Sequence, residues 1–571
     1  MAQLDLLRDY GGVVLDGQTL GWPTARAGEV VEILRRFRLD PVLAVLLRLN
    51  LALTHHRPLD QEDLLGKWLQ PDLAGVCIRL MREKRITHAF HEGQVLNLIR
   101  LAILNSPEDG ELHCNQPGDF HLLMRALLRM SDLMFPHPGG TSIRDGVFSN
   151  FTRSELFMHD EQYVPHAMAR NYDLFVMLPR IVGRRGSFFD IAGSFLAITG
   201  MDVEDYVGLG FGLLTQYDTI DAAIIANAQI GLQKKTYLES VHLPAERRNR
   251  LWPLLSKPIA EYRDALRTEW GSGKEPDCWF AMRTFSQFPM IEFADGTMVA
   301  VSRRLLRDRI THGIYWILAN GVAPGDRQGF TNFFGDVFEE YIRRCFLRSL
   351  GHSFAPRARY GPARVPLVDG GLITTRSLGL VECKAGRLLL NVREVGSEAD
   401  LLQSVEPGLE RAASQLAAAV DGGQRGQIDG IETNMDTHFY PIVVTYEAIP
   451  SHPLAGQLYD RIVHRNGRLV GRDIKPVTLL NTRDIEWLEG LIVDGEAWAD
   501  VISRKHSERY RLIPFHNYLY DSFEGAIPVN HYLRSRWGRI GNLIGTRLFG
   551  EPLAGPPPVR RRRRRGWKRR H

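Results

Sequence analysis

The segment Gly379-Leu380-Val381-Glu382-Cys383-Lys384-Ala385-Gly386 constrains this chain more than any other. An apolar run of this kind forms a strand, where successive side chains alternate faces. Glu382 and Lys384 then point one way, while Val381 and Cys383 point the other way into the core. Thirteen residues upstream stands Asp369, in the run Val365-Pro366-Leu367-Val368-Asp369-Gly370-Gly371-Leu372-Ile373. If the two runs pair as a hairpin turning at Thr374-Thr375-Arg376-Ser377, the midpoint between Asp369 and Glu382 falls on the turn. The two carboxylates then sit opposite each other. Directly opposed strand residues have Cβ atoms roughly 5 Å apart, and like charges so placed repel. A divalent cation with oxygen ligands offsets that repulsion. The alternative is a surface hairpin whose Glu382 and Lys384 are merely solvated.

Ahead of the hairpin, Phe334, Phe338, Tyr341, Ile342, Cys345 and Phe346 mark one face of a helix that Gly351 is placed to end. Glu339 lies one turn above Gly335, whose missing side chain leaves room beside the carboxylate. After the hairpin, Pro407 to Val420 reads as a second helix, carrying Gln415, and a strand follows at Phe439 to Tyr446.

This order of helix with Glu, strand with Asp, strand with Glu-x-Lys and helix with Gln resembles the PD-(D/E)XK nuclease superfamily over about residues 330 to 450. The resemblance implies an α/β restriction-endonuclease-like core with a mixed central sheet. It also implies a Mg2+ or Mn2+ ion held by Asp369 and Glu382, with Lys384 orienting or activating the attacking water. Glu339 and Gln415 would support the site. Val368 stands where the proline that names the motif would be, and the loop after Gly386 is long and polar. A bare Glu-x-Lys is common by chance, so the weight falls on the ordered set.

At 571 residues the chain exceeds one core, and the expectation is a multidomain protein. A mostly helical region, 1–280, precedes a hairpin-and-helix lead-in, 281–325, which resembles one found ahead of the nuclease-like domain in uncharacterised bacterial proteins. The nuclease-like core follows at 326–500, then a mixed segment, 501–554, expected to pack on it, and a basic tail, 555–571. Helical spacing recurs at Glu29 to Phe37, Leu73 to Met81, His91 to Leu104, His121 to Met134 and Tyr172 to Ile181, with Asp40-Pro41 expected to start a further helix. Met290 to Val301 alternates around Asp295-Gly296, a hairpin signal, and Ser302 can cap a helix over Arg303 to Leu318. Strands at Arg468 to Val470 and Pro476 to Leu480, and a helix at Asp484 to Ile492, complete the reading.

Several motifs fail on inspection. His91-Glu92 has no second histidine at metal-ligand spacing, and Gly208-Leu209-Gly210-Phe211-Gly212 lacks the full dinucleotide fingerprint. In Gly271-Ser272-Gly273-Lys274-Glu275 a phosphate loop would need glycine where Thr268 stands and a hydroxyl where Glu275 stands. His159 and His166, with Asp160 and Glu161 between them, read better as a polar loop than as ligands. The five cysteines are scattered with no Cys-x-x-Cys, which fits buried free thiols.

No apolar run approaches the roughly 20 residues that span a bilayer, and the start has no basic and apolar leader pattern, so the expected location is cytoplasmic, with no membrane partner. Nine of the 71 Lys and Arg lie in the last dozen residues, which leaves 62 in the body against 66 Asp and Glu. Any nucleic-acid surface on the body is therefore a local patch. Arg357, Arg359 and Arg364, between the helix and Asp369, are candidates to grip phosphates, the equal alternative being solvated loop charges. In the tail, Arg560, Arg561, Arg562, Arg563, Arg564, Arg565 and Lys568 follow a proline-rich hinge, a composition that binds phosphate backbones without reading sequence. The functional expectation is a metal-dependent nuclease acting on nucleic acid, DNA more than RNA, in host defence or DNA processing. The alternative is a non-catalytic nucleic-acid-binding or assembly protein that keeps the fold for shape. The N-terminal helices are the candidate surface for a protein partner or self-association.

Overall fold

The computed structural model describes residues 15–17, 19–55, 60–86, 88–135, 143–158, 164–183, 188–227, 231–270, 279–356, 359–360, 365–366, 368–465, 467–523 and 530–552. Over these residues the chain is mostly helical, with a small sheet in the N-terminal part and a mixed five-stranded sheet in the C-terminal half. The expected N-terminal helices form, among them Ala27–Arg35, Pro71–Arg82, Glu92–Asn105 and Pro117–Met134. Leu39–Leu53 starts one residue ahead of Asp40, which therefore lies in the first turn with Pro41 instead of capping it. Gly208–Gly212 lies within the helix Val203–Thr219, so that glycine run is not a loop. The hairpin around Gly296 forms, with Met290–Glu292 pairing antiparallel with Thr297–Ala300 and Gly296 at φ +79°. Leu232–Gln233 and Ser256–Pro258 complete that sheet, too short for alternation to betray them.

The lead-in is two helices, α1 (Arg303–Ile310) and α2 (Gly313–Gly321), where one was expected. Ser302 caps α1 by accepting from the Leu305 N–H at 3.2 Å. The break comes at Thr311, whose φ of −100° and ψ of −89° leave the helical region. Next come α3 (Arg327–Leu350), β1 (Phe354–Pro356), β2 (Gly370–Ile373), β3 (Ser377–Lys384), α4 (Leu390–Glu394), α5 (Glu398–Gln424), β4 (His438–Thr445), α6 (Pro453–Val463) and β5 (Thr478–Asn481). The strand order is β5-β4-β3-β2-β1. The β3–β4 and β4–β5 pairs are parallel, and the β1–β2 and β2–β3 pairs antiparallel. Residues 468–470 form no strand. Gly351 ends α3 at φ +53°, as read from the sequence.

Helix α5 starts nine residues before Pro407. Ser397 caps it, accepting from the Asp400 N–H at 3.1 Å, in a Ser-x-x-Asp pattern. Pro407 is tolerated inside because it and Gln403, whose carbonyl loses its partner, are both exposed to water.

Both faces of the sheet are covered. Val381, Ile442 and Val444 point toward α3 and share one continuous apolar core with the N-terminal helices. Leu378, Leu380 and Val443 point toward α5 and α6 and belong to a second core with Leu409, Leu416 and Val420. The C-terminal helices α7 (Thr482–Val493), α8 (Trp498–Lys505), α9 (Phe515–Ser522) and α10 (His531–Phe549) close the first core. Buried ion pairs tie them to the N-terminal region. Arg170 grips Glu486 of α7 through both carboxylate oxygens at 2.5 and 2.6 Å, and Tyr341 donates to the same carboxylate at 2.6 Å. Asp173 accepts from Tyr532 of α10 at 2.6 Å.

Trp498 of α8 reaches the sheet only because Gly379 has no side chain. A Cβ there would stand 3.0 Å from the Leu372 side chain and 3.1 Å from the indole. Gly379→Val is expected to cost about 1–3 kcal/mol through overpacking, read as a lower denaturation midpoint with unchanged slope.

Candidate active site

The β2–β3 register pairs Gly370 with Val381 and Ile373 with Leu378. The register is the one expected from the turn, but the ladder ends at Gly370; Asp369 lies just beyond it, close enough for its charge to act on Glu382. The Asp369 N–H donates to the Val381 carbonyl at 3.0 Å, and its Oδ2 accepts from the Cys383 N–H at 2.7 Å, which pins the carboxylate to β3. Side-chain alternation then puts Glu382 and Lys384 on the face toward α5, and α5 brings Gln415 down onto them. Lys384 Nζ donates to Glu382 Oε1 at 2.6 Å and to Gln415 Oε1 at 2.9 Å. Glu382 is only 3% exposed. The solvated surface hairpin is thereby excluded for this pair.

Burial, and then the charge of Asp369, push the Glu382 carboxyl up to about 7; the Lys384 charge and the hydrogen bonds from Lys384 and Gln415 oppose them. Its Oε2 is buried with no hydrogen-bond donor. Lys384 serves Oε1, so Oε2 is the oxygen left to take a further positive partner. Two protein carboxylates are also what a magnesium-type ion commonly takes, the rest of its shell being water and substrate oxygens. Asp369 and Glu382 fit such an ion by this test, although among the described residues no group of three His, Cys, Asp or Glu side chains converges as a metal cage.

Glu339 lies on α3, on the other side of β3. The Cys383 thiol, raised well above its ordinary value mainly by burial, feels Asp369, Glu339 and Glu382 together, so Glu339 borders the same strand end. A Cβ at Gly335 would meet nothing within 4 Å, which agrees with the space expected beside Glu339. The adjacent Glu340 is occupied elsewhere, held by Arg343 at 2.6 and 2.7 Å and by Arg344 at 2.8 Å. The hairpin, α3 and α5 thus assemble Asp369, Glu382, Lys384 and Gln415, with Glu339 at their border.

The phosphate-gripping candidates are not assembled in the same way. Arg359 is exposed on a short ladder with Val365–Pro366, while Arg357 and Arg364 lie outside the described residues. The tail arginines Arg560 to Arg565 and Lys568 also lie outside them, as do His159, Asp160 and Glu161. Sequence reasoning missed Arg387, Arg393 and Glu447, which cluster beyond the ends of β3 and β4. Arg387 follows Lys384 by three residues, but Glu447 reaches it only through the parallel β3–β4 pairing, which leaves no local signal.

In comparisons with known proteins, no family model, no curated protein and no solved structure matches this chain. No described helix is long and apolar enough to cross a membrane.

The raised Glu382 carboxyl has a pH consequence. Between the ordinary value near 4.5 and about 7 the folded state holds a proton that the unfolded chain releases. The Glu382 contribution to stability is therefore full below that window and lost as pH rises through it. Without divalent ions, the melting temperature should carry this downward component between pH 5 and 8; Mg2+ should offset it at the upper end, its affinity rising as the proton leaves. Glu382→Gln should remove both effects, as thermal melts at each pH with and without Mg2+ would show.

Proposed function

We propose that the chain is a divalent-metal-dependent nuclease of the PD-(D/E)XK type, hydrolysing phosphodiester bonds in nucleic acid, with DNA the first substrate to test. The observation that carries this reading is Asp369 at the end of β2 close enough for its charge to act on buried Glu382, with Lys384 2.6 Å from Glu382 on the same strand face. Asp369 and Glu382 would hold the ion. When bound, a magnesium-type ion supplies charge stabilisation at the scissile phosphate and a lowered pKa for the attacking water. The protein's own part is orientation. The Cys383 N–H fixes Asp369, and Gln415 and Glu382 together take two of the three N–H bonds of Lys384, which leaves the third for the reacting phosphate or its water. Hydrolysis forms one oxygen–phosphorus bond from water and breaks one ester bond to the leaving oxygen.

Incubating the purified full chain with single- and double-stranded DNA and RNA, with and without Mg2+ or Mn2+, tests the reading. Binding without cleavage under every condition would favour the assembly or binding alternative. Lys384→Ala should lower the cleavage rate by about a hundredfold or more while changing substrate affinity little, because an amine at the reacting phosphate acts mainly in the transition state. Equal losses in binding and rate would make Lys384 only a phosphate grip.

A further inference from the structure

Beyond Lys384 the chain leaves the sheet and drives a second cation into the protein. The Arg387 side chain is 6% exposed. Its guanidinium carbon lies 4.1 Å from the ring centre of Tyr315, 4.6 Å from that of Tyr446 and 5.0 Å from that of Trp316. Arg393, on α4, approaches the same Trp316 ring at 5.6 Å. One carboxylate serves both. Glu447 Oε1 contacts Arg393 directly and stands 3.5 Å from Arg387, too long for a good hydrogen bond, while Oε2 accepts from the Leu388 N–H at 3.2 Å. Asp308 adds a more distant negative charge near Arg393.

This leaves donors over. Nε and Nη2 of Arg387, Nε of Arg393 and the Tyr446 hydroxyl are buried without a hydrogen-bond partner. Arg387 lies over the Tyr446 ring, close enough for each to feel the other's charge. The aromatic faces stabilise the guanidinium charge through the ring and leave its in-plane N–H groups unanswered. Burial lowers the pKa of Arg387, and its one carboxylate, 3.5 Å away, does not offset that. Two guanidinium groups, one shared carboxylate and a set of unfilled donors call for a ligand with negative charge and several acceptor oxygens. Arginine's planar fork matches such an oxyanion. Arg393 is 37% exposed, which opens the cluster to solvent.

We propose that Arg387, Arg393 and Tyr446 form a binding site for a phosphate-class oxyanion, distinct from the Asp369–Glu382 pair. Tyr446 packs in the core on the α3 side of the sheet, whereas Glu382 faces α5, and the site does not depend on the nuclease reading. Two sources can deliver this chemistry: free phosphate or a mononucleotide, and the terminal phosphate of a nucleic-acid strand.

Titration calorimetry of the full chain with inorganic phosphate, in low-salt buffer containing a chelator, tests the site. Saturable one-site binding is expected, weakened about tenfold or more in Arg393→Gln, since a charged hydrogen bond of this kind contributes a factor of that size. Tyr446→Phe, which keeps the ring, should also weaken it. These two variants carry the test if Arg387→Gln fails to fold, and circular dichroism checks each. Displacement of phosphate by a short oligonucleotide bearing a 5′-phosphate, but not by the same oligonucleotide ending in a 5′-hydroxyl, assigns the site to strand ends. Displacement by a nucleoside monophosphate alone assigns it to a free ligand. Absence of saturable phosphate binding, or wild-type affinity in both folded variants, overturns the proposal.

Discussion

Asp369→Ala and Glu382→Ala are each expected to abolish metal-dependent cleavage, a fall of at least about a hundred- to a thousandfold, while the chain stays folded. The two carboxylates are the proposed ligands, and neither alone reproduces the pair. The fold should survive because each change relieves a repulsion: Glu382 is a buried carboxyl whose Oε2 has no donor, and Asp369 is the charge that makes its ionisation harder. Lys384 keeps Gln415 as a partner in Glu382→Ala. Matched melting curves, metal titration and a cleavage assay would check the result together. A folded Glu382→Ala chain with full activity would sink the site assignment, and a loss of activity accompanied by unfolding would leave the carboxylate with a structural role instead.

The second large effect concerns affinity. Deleting residues 555–571 removes nine basic side chains that follow the run Gly555-Pro556-Pro557-Pro558. Each phosphate neutralised releases counterions, so a tail touching six or more phosphates makes log K fall steeply with log salt, by about a thousandfold or more between 50 and 200 mM. The deletion should weaken binding at low salt by several orders of magnitude, flatten that slope and leave the cleavage pattern unchanged. Filter binding or fluorescence anisotropy at several salt concentrations would read it. An unchanged slope would mean the tail serves another partner, and a changed cleavage pattern would give it a part in recognition.

The centre of the candidate site was legible because two short-range rules agreed there. The equal spacing of Asp369 and Glu382 about the turn sets the register, and alternation along β3 sets the face of Glu382 and Lys384. Gln415 came within reach because apolar spacing gave the right face of α5 even though its start was misplaced. Pro407 reads as the start of the helix, whereas the Ser397 cap lies ten residues earlier. The split between α1 and α2 hinges on the backbone of Thr311, which apolar spacing does not report. Leu232–Gln233 and Ser256–Pro258 are strands only because distant partners pair with them. The cluster of Arg387, Arg393 and Glu447 depends on two strand ends meeting, and no window along the chain contains both.

The sheet's α3-side face shares its apolar core with the N-terminal helices, and Arg170 grips Glu486 across that boundary with both ions buried. The segment 326–500 is therefore not a cassette. Cut out alone, it would present a bare greasy surface and a stranded Glu486 to water, and it would tend to precipitate. Swapping this half onto a different helical partner would require redesigning one whole side of the sheet. Any ligand or subunit that loosens the N-terminal helices loosens the floor beneath β3, so the first half of the chain is a handle on the second.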